Sequence, residues 1–315
     1  MATYFIKGQS FDADPNLKLG SGSEGAVFPL PGHDNVCVKL FHEVEAGDQA
    51  GLDLAQYRAR KIANITTLGL NLPEQFTLPK QPVYTDKSQS TVSGFTMRKI
   101  PKGFSKLSEL LKSDFRQNNA LGLKEIVSFY ANIFDDAALI HSQSPVDRPM
   151  SIGDLNTGLL LIDGNLNYYW CDTDSWTYSK EFQCVAASVM FCHPELYPYI
   201  NNDGSPLVSM KPYHDRFALT IMFSMMAIHG AHPFSSGSHP TIVGPQDRAT
   251  AGMTIFNPEV DYPSYLASPE VLSDELLHSL EQRLTQQTKD ALDTGLLRQF
   301  VDEVTKCPNC NADYH

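Results

Sequence analysis

In the first third of the chain, apolar and polar positions alternate with the short period of strands, interrupted by one helical stretch. Gly25–Leu30, Asn35–Phe41, Gln81–Tyr84 and Ser93–Ile100 are β-rich runs, each bounded by Gly, Pro, Asn or Asp. Between the second and third, Leu54, Tyr57, Ile62, Ile65 and Leu68 keep close to the roughly 3.6-residue helical period and predict a helix over Asp53–Leu68. This is the pattern of one helix laid on a small sheet.

After Pro101 the period lengthens. Lys106–Lys112 and Leu121–His141 read as helices, the second with Ile126, Phe129, Tyr130, Ile133, Phe134, Ala137 and Ile140 on one stripe. Two apolar runs follow, Leu159–Ile162 and Leu166–Cys171, and the Asp163-Gly164-Asn165 between them is a hairpin signal. Beyond a loop-rich stretch, Asp215–His229, Ser273–Thr285 and Lys289–Val304 read as helices. The order predicts an α+β chain. A small β-rich unit spans 11–100, a larger helical unit spans 101–304, Lys99–Gly103 connects them, and 305–315 is a short tail.

Composition narrows the partners. The 315 residues allow two domains and a sizeable core without cross-links. With 24 Lys and Arg against 36 Asp and Glu, the net charge of −12 argues against general affinity for nucleic acid or anionic membrane. No apolar run approaches the roughly 20 residues of a membrane span, and MATYFIKGQS lacks the pattern of a signal peptide. Six cysteines in a chain this long do not make a disulfide scaffold. The expectation is a soluble protein of a reducing, cytoplasmic compartment.

Three segments carry candidate chemistry. Gly20-Ser21-Gly22-Ser23-Glu24-Gly25-Ala26-Val27 fits a glycine-rich loop whose backbone amides can approach phosphates, with Val27 placed to cover a base; a plain hairpin turn is the alternative. A second strand follows it, where a dinucleotide-binding fold would open a helix. In that strand, Val36-Cys37-Val38-Lys39-Leu40, a lysine between apolar residues needs an anionic partner or a path to solvent. The third segment is Ser151-Ile152-Gly153-Asp154-Leu155-Asn156, followed by the hairpin and Cys171-Asp172-Thr173-Asp174-Ser175. Phosphoryl transfer uses one carboxylate to orient the attacking hydroxyl and another to hold Mg²⁺. Acidic turns of this kind also arise as Asx-turns.

In this order, the three segments resemble a protein-kinase-like catalytic domain over about residues 15–300. The resemblance implies a bilobal fold, with a small β-rich N-lobe and a larger helical C-lobe. It implies ATP and Mg²⁺ (or Mn²⁺) as cofactors and a protein as substrate or partner. Lys39 would bind the α- and β-phosphates beside a nucleotide loop of Gly20, Ser21, Gly22, Ser23, Gly25 and Val27. Met97 and Arg98 would line the adenine side, Asp154 would orient the acceptor hydroxyl, and Asp172 would hold the metal, helped by Asn156 or Asp174. His193-Pro194-Glu195 resembles the end of an activation segment, Asp215 the buried aspartate bracing the catalytic loop, and Gly230–Phe234 the Gly-x-x-Pro-Phe after that helix. More narrowly, Gly153-Asp154-Leu155-Asn156 with Asp172-Thr173-Asp174-Ser175 resembles the bacterial Ser/Thr kinases related to YegI.

The pattern also departs from that family. Leu159 stands where a second metal-binding Asn belongs, Asp53–Leu68 offers no glutamate to pair with Lys39, and Gly153 replaces an arginine. Unpaired, Lys39 would be positioned by nucleotide alone. Three readings follow: a bacterial-type Ser/Thr phosphotransferase, a pseudokinase serving as a nucleotide-sensing or protein-binding module, and a small-molecule kinase. At the C-terminus, Cys307 and Cys310 have the spacing of half a zinc ribbon, with unmetallated thiols the alternative.

Overall fold

The computed structural model describes all residues except Met1, Ala46, Asp203, Tyr265, 307–312 and His315. Two compact units divide the chain: residues 1–104 with 169–174, and residues 105–168 with 175–315.

The first unit is built on an antiparallel sheet of seven strands among the described residues: β1 (Ala2–Ile6), β2 (Gln9–Ala13), β3 (Gly20–Ser21), β4 (Gly25–Leu30), β5 (His33–Phe41), β6 (Gln81–Tyr84) and β7 (Val92–Arg98). The order is β2-β1-β6-β7-β5-β4-β3, and α1 (Gln49–Ile65) carries the chain from β5 across to β6. The four expected strands and the helix form. The terminal hairpin of β1 and β2 and the short β3 are additional; β2 and β3 form the two edges of the sheet, where little apolar signal is needed.

Side-chain alternation along β5 sorts its chemistry. Val38 and Leu40 join Ala13 and Val83 in one apolar cluster, covered by Tyr4, Phe11, Phe28 and Leu30. Lys39 points to the opposite face, its ammonium 5.9 Å from the ring centre of Phe95. Helix α1 starts earlier than its periodicity indicates because Asp48 caps it, accepting the Gly51 N–H at 3.0 Å. It stops at Ile65, where the Thr66 and Thr67 hydroxyls bond the carbonyls of Ala63 and Asn64.

Residues 169–174 belong to this unit because backbone bonds tie them there. Trp170 donates to Gln75 O at 2.8 Å, Thr77 donates back to Trp170 O at 3.1 Å, and the Phe76 and Trp170 rings stack at 6.0 Å. The Thr173 hydroxyl donates to Thr77 O at 3.0 Å.

The second unit is mostly helical. Its elements are β8 (Ser105–Lys106), α2 (Ser113–Asn118), α3 (Leu123–Ser142), β9 (Leu160–Ile162), the start of β10 (Tyr168–Trp170), α4 (Pro212–Ala227), α5 (Pro245–Thr250), α6 (Asp274–Thr285), α7 (Thr294–Glu303) and a ribbon of β11 (Thr305–Lys306) with β12 (Asp313–Tyr314). The Lys106–Lys112 segment is a 3-10 turn over Leu107–Leu111 instead of an α-helix. Helix α7 begins later than expected because Asp293 caps it through the Gly295 N–H at 2.8 Å. The turn before β10 extends over 163–167, where the Asp163 carboxylate collects the N–H groups of Asn165 and Asn167 at 2.9 Å each.

Helix α4 is apolar around most of its circumference and is the centre of this unit. Phe223 meets Tyr130 and Phe134 of α3 at ring distances of 5.3 and 6.4 Å. The chain therefore mixes an antiparallel sheet with helices, compatible with the α+β expectation. Among the described residues no helix is long and apolar enough to cross a membrane.

Candidate functional site

In the first unit, Lys39 lies at the centre of a carboxylate cluster. Its ammonium is 3.0 Å from both carboxylate oxygens of Asp174, 3.0 Å from Asp172 Oδ1 and 3.6 Å from Glu24 Oε2. Arg58 of α1 binds the other oxygen of Glu24 at 2.6 Å. Two cations thus face three carboxylates, leaving the cluster with one negative charge in excess. Burial alone would push the Lys39 ammonium down, but Asp174, Asp172 and Glu24 outweigh it and hold it well above the usual lysine range. Burial pushes the Asp174 carboxyl up against the opposing pull of Lys39.

The expectation that Lys39 lacks a partner is corrected by these distances. Helix α1 indeed carries no glutamate facing Lys39; it offers Arg58, and the glutamate comes from the tip of the glycine hairpin. Sequence reasoning missed both residues. Glu24 was legible only as one polar residue among glycines, and Arg58 falls on no apolar stripe.

Asp172 has φ +48°, in the left-handed region that an aspartate enters at some cost. Side chains held this way gather at functional sites. Its side chain is half-exposed whereas that of Asp174 is buried, so Asp172 is the more approachable carboxylate.

The glycines of the hairpin divide by their surroundings. A Cβ on Gly25 would collide with the Leu40 carbonyl of β5, so the sheet itself requires this glycine. Gly20 and Gly22 have nothing within 4 Å of such a Cβ, and nothing in the fold demands them. Ser21 pairs with Ala26, Gly22 N–H donates to Gly25 O at 2.9 Å, and Ser23 lies in the turn they close. Val27 stands opposite Lys39 in the β4–β5 register. Met97 stands opposite Cys37 in β7. Arg98 is paired with Glu74, and its guanidinium is 5.8 Å from the Tyr169 ring. The Cys37 thiol, pushed up to about 12 by burial, is structural.

In the second unit, the loop carrying Asp154 is pinned from below. Asp215, buried in the first turn of α4, accepts the N–H of Ile152 at 2.7 Å and of Gly153 at 2.8 Å. His141, at the end of α3, bonds the same carboxylate at 2.9 Å. Asp154 Oδ1 accepts the Ser188 hydroxyl at 2.6 Å. The Asn156 amide nitrogen bonds Asp154 O and Ser188 Oγ at 3.0 and 3.1 Å, and its oxygen accepts the Gly158 N–H at 2.8 Å. Ser188, which no motif singles out, is thereby a direct neighbour of Asp154.

The donor sets distinguish the candidate metal residues. Asp172 and Asp174 offer hard carboxylate oxygens of the kind Mg²⁺ takes. Asn156 does not fit, because its oxygen is already occupied, and Leu159 is buried and apolar. Among the described residues no group of three or more His, Cys, Asp or Glu side chains is arranged to hold a metal ion. Cys307 and Cys310 lie outside the described residues.

The structure therefore gathers Lys39, Asp172 and Asp174 in one unit, and Asp154 with Asn156 in the other. The chain matches no protein-family model and no curated protein.

Proposed function

We propose that the chain is an ATP-dependent Ser/Thr protein phosphotransferase of bacterial type, with the bilobal protein-kinase-like fold. The observation that carries this reading is the Lys39 cluster: a buried ammonium on the strand after a glycine hairpin, bonded to Asp172 and Asp174 at 3.0 Å. A buried lysine among carboxylates that outnumber the local cations is a charge arrangement suited to both a phosphate and its metal.

In this reading Lys39 binds the α- and β-phosphates, exchanging part of its carboxylate contact for phosphate oxygens. Asp172, with Asp174 behind it, holds Mg²⁺ or Mn²⁺, which supplies charge neutralisation for the phosphates. Gly20 and Gly22 leave room for the nucleotide at the hairpin. Asp154 orients the acceptor hydroxyl from a loop that Asp215 keeps rigid. Each group supplies positioning and electrostatic stabilisation, the main sources of rate in phosphoryl transfer.

A second reading, a nucleotide-sensing pseudokinase, is favoured by Asn156 and Leu159. The first has its oxygen taken by Gly158, and the second is apolar, so one metal ligand of the active arrangement is lacking.

Transfer of γ-phosphate from labelled ATP, with Mg²⁺ and then Mn²⁺, separates the readings when Lys39→Ala and Asp154→Ala are run beside the wild type. Transfer abolished by both substitutions is the expected result. Nucleotide binding without transfer would replace the proposal with the pseudokinase. Transfer that survives both substitutions would remove these residues from the mechanism.

A further inference from the structure

A second charged feature lies wholly within the helical unit and goes beyond the phosphotransfer reading. A cavity of about 420 Å³ at the head of α4 is lined by Arg148, Lys180, Lys211, Arg216 and Lys289, with Tyr213 and two prolines. Five of the chain's 24 cationic side chains line this one depression, and no Asp or Glu is in its lining. Among the described residues, none of the five forms an ion pair with a carboxylate, although the chain carries 36 of them.

The arrangement is electrostatically costly as it stands. The ammonium groups of Lys289 and Lys211 lie 4.7 and 5.5 Å from the centre of the same Tyr213 ring. Gathered like charges repel, and an anion between them reverses the sign of the interaction. The acids at its edge are already engaged: Glu195 accepts from the Tyr213 hydroxyl and from His214 Nε2, the latter at 2.7 Å, and Asp147 accepts the Lys180 backbone N–H at 3.0 Å.

The two arginines are held in place by backbone. Arg148 donates through one terminal nitrogen to Met210 O at 2.9 Å and through the other to Ser209 Oγ. Arg216 donates to Lys289 O at 3.0 Å. Arg148 Nε is buried with no hydrogen-bond partner, an unsatisfied donor in the wall of the cavity. Pre-oriented guanidinium groups with ammonium groups around them are the donor set for a phosphoryl dianion, which offers three strong acceptor oxygens.

We infer that this cavity is a phosphate-recognition site for a phosphorylated protein segment. An extended polyanion is disfavoured because the molecule around this local patch has a net charge of −12. Pro149, Pro212 and the Tyr213 ring add apolar surface that a peptide can cover and a free anion cannot.

Fluorescence anisotropy of the full chain with a degenerate phosphoserine peptide library tests the site without reference to catalysis. The same library unphosphorylated, inorganic phosphate and heparin serve as competitors. The expected result is binding that requires the phosphate, weakens with salt, and drops at least about tenfold in a Lys180→Gln, Lys211→Gln, Lys289→Gln triple variant. These lysines are on the surface, and an unchanged melting curve shows that the variant folds. Retention of binding in a Lys180→Arg, Lys211→Arg, Lys289→Arg variant is also expected. Equal binding of the two libraries overturns the inference, as does affinity unaffected by the triple Gln variant. Inorganic phosphate binding as tightly as the phosphopeptides would assign the cavity to a free anion, and stronger binding of heparin to a polyanion. Either replaces the inferred ligand.

Discussion

Glu24, at the tip of the glycine hairpin, is clamped to Arg58 of the helix that follows Lys39, at 2.6 Å. Its second oxygen reaches Lys39 at 3.6 Å, so one carboxylate links the hairpin, the helix and the buried lysine. The polarity is the reverse of what the kinase resemblance leads one to expect: the helix supplies the cation and the loop the acid.

This geometry makes the pair inexchangeable. Arg58→Ala is expected to cost on the order of 1 kcal/mol in chemical denaturation, as for a half-buried ion pair. The charge-swapped Glu24→Arg, Arg58→Glu protein restores that pair but places an arginine beside Lys39. It should therefore stay less stable than the wild type, and a swap that recovers wild-type stability would show that Glu24 does not serve Lys39.

Asp215 is the brace of the Asp154 loop, accepting two backbone N–H groups and His141 while 1 % exposed. Asp215→Asn keeps the shape but leaves a single acceptor oxygen, so a buried donor loses its bond. The expected loss is on the order of 2 to 3 kcal/mol in urea unfolding. Amide exchange at Ile152 and Gly153 should quicken more than elsewhere in the unit, and unchanged protection at both would contradict the bracing role.

Gly153 combines a φ of +93° with a neighbour that leaves no room for a side chain: a Cβ there would lie 2.6 Å from Cys184 Cβ. Gly153→Ala is therefore strained in backbone and packing alike, and about 2 kcal/mol or more of destabilisation is expected. Combining it with Cys184→Gly should recover only part of the loss, because the backbone strain persists. Full recovery, read from thermal unfolding, would show that packing alone set the cost. The same geometry explains why no arginine stands here.

Acid should weaken the fold in two stages. Burial holds His193, His214 and His232 below their usual 6.5, so the unfolded chain takes up protons first and stability falls as pH drops below that value. His214 is fixed as the neutral tautomer, because Nδ1 accepts the Lys211 N–H at 3.0 Å and Nε2 faces Glu195. Burial would raise the Glu195 carboxyl, but hydrogen bonds from Tyr213 and His214 outweigh it and bring it to about 2. Its contribution is present above 4.5 and lost as pH falls from there towards about 2. Urea midpoints measured from about pH 8 downward should be flat, then decline through the histidine range and again through the carboxylate range. Glu195→Gln should shrink the lower decline and, by taking away the charge that favours protonated His193 and His214, deepen the upper one.

Much of the local structure was legible because it rests on short-range chemistry. The strands around Lys39, helix α3 with its apolar stripe, and helix α4 follow from period and breakers. Helix ends were less legible where a polar cap decides them, as Asp48 and Asp293 do for α1 and α7. The edge strands β2 and β3 exist through hairpin pairing with β1 and β4, which no apolar period in the edge strand itself announces.

The sequence alone placed Lys39 in a strand beside a glycine-rich turn, on the face opposite Val38 and Leu40, since alternation puts it there. It also marked Asp154, Asp172 and Asp174 as acidic residues in tight turns. Which charges meet was set by packing between distant parts of the chain. Lys39 and Asp174 are 135 positions apart and bond at 3.0 Å because Trp170 is tied to Gln75 and Thr77. Likewise, lysines and arginines scattered from Arg148 to Lys289 line one cavity at the head of α4. Periodicity reports which face a side chain takes within its own element. Ion pairs form between elements whose approach is fixed by packing and backbone bonding far along the chain, and no local pattern encodes that approach.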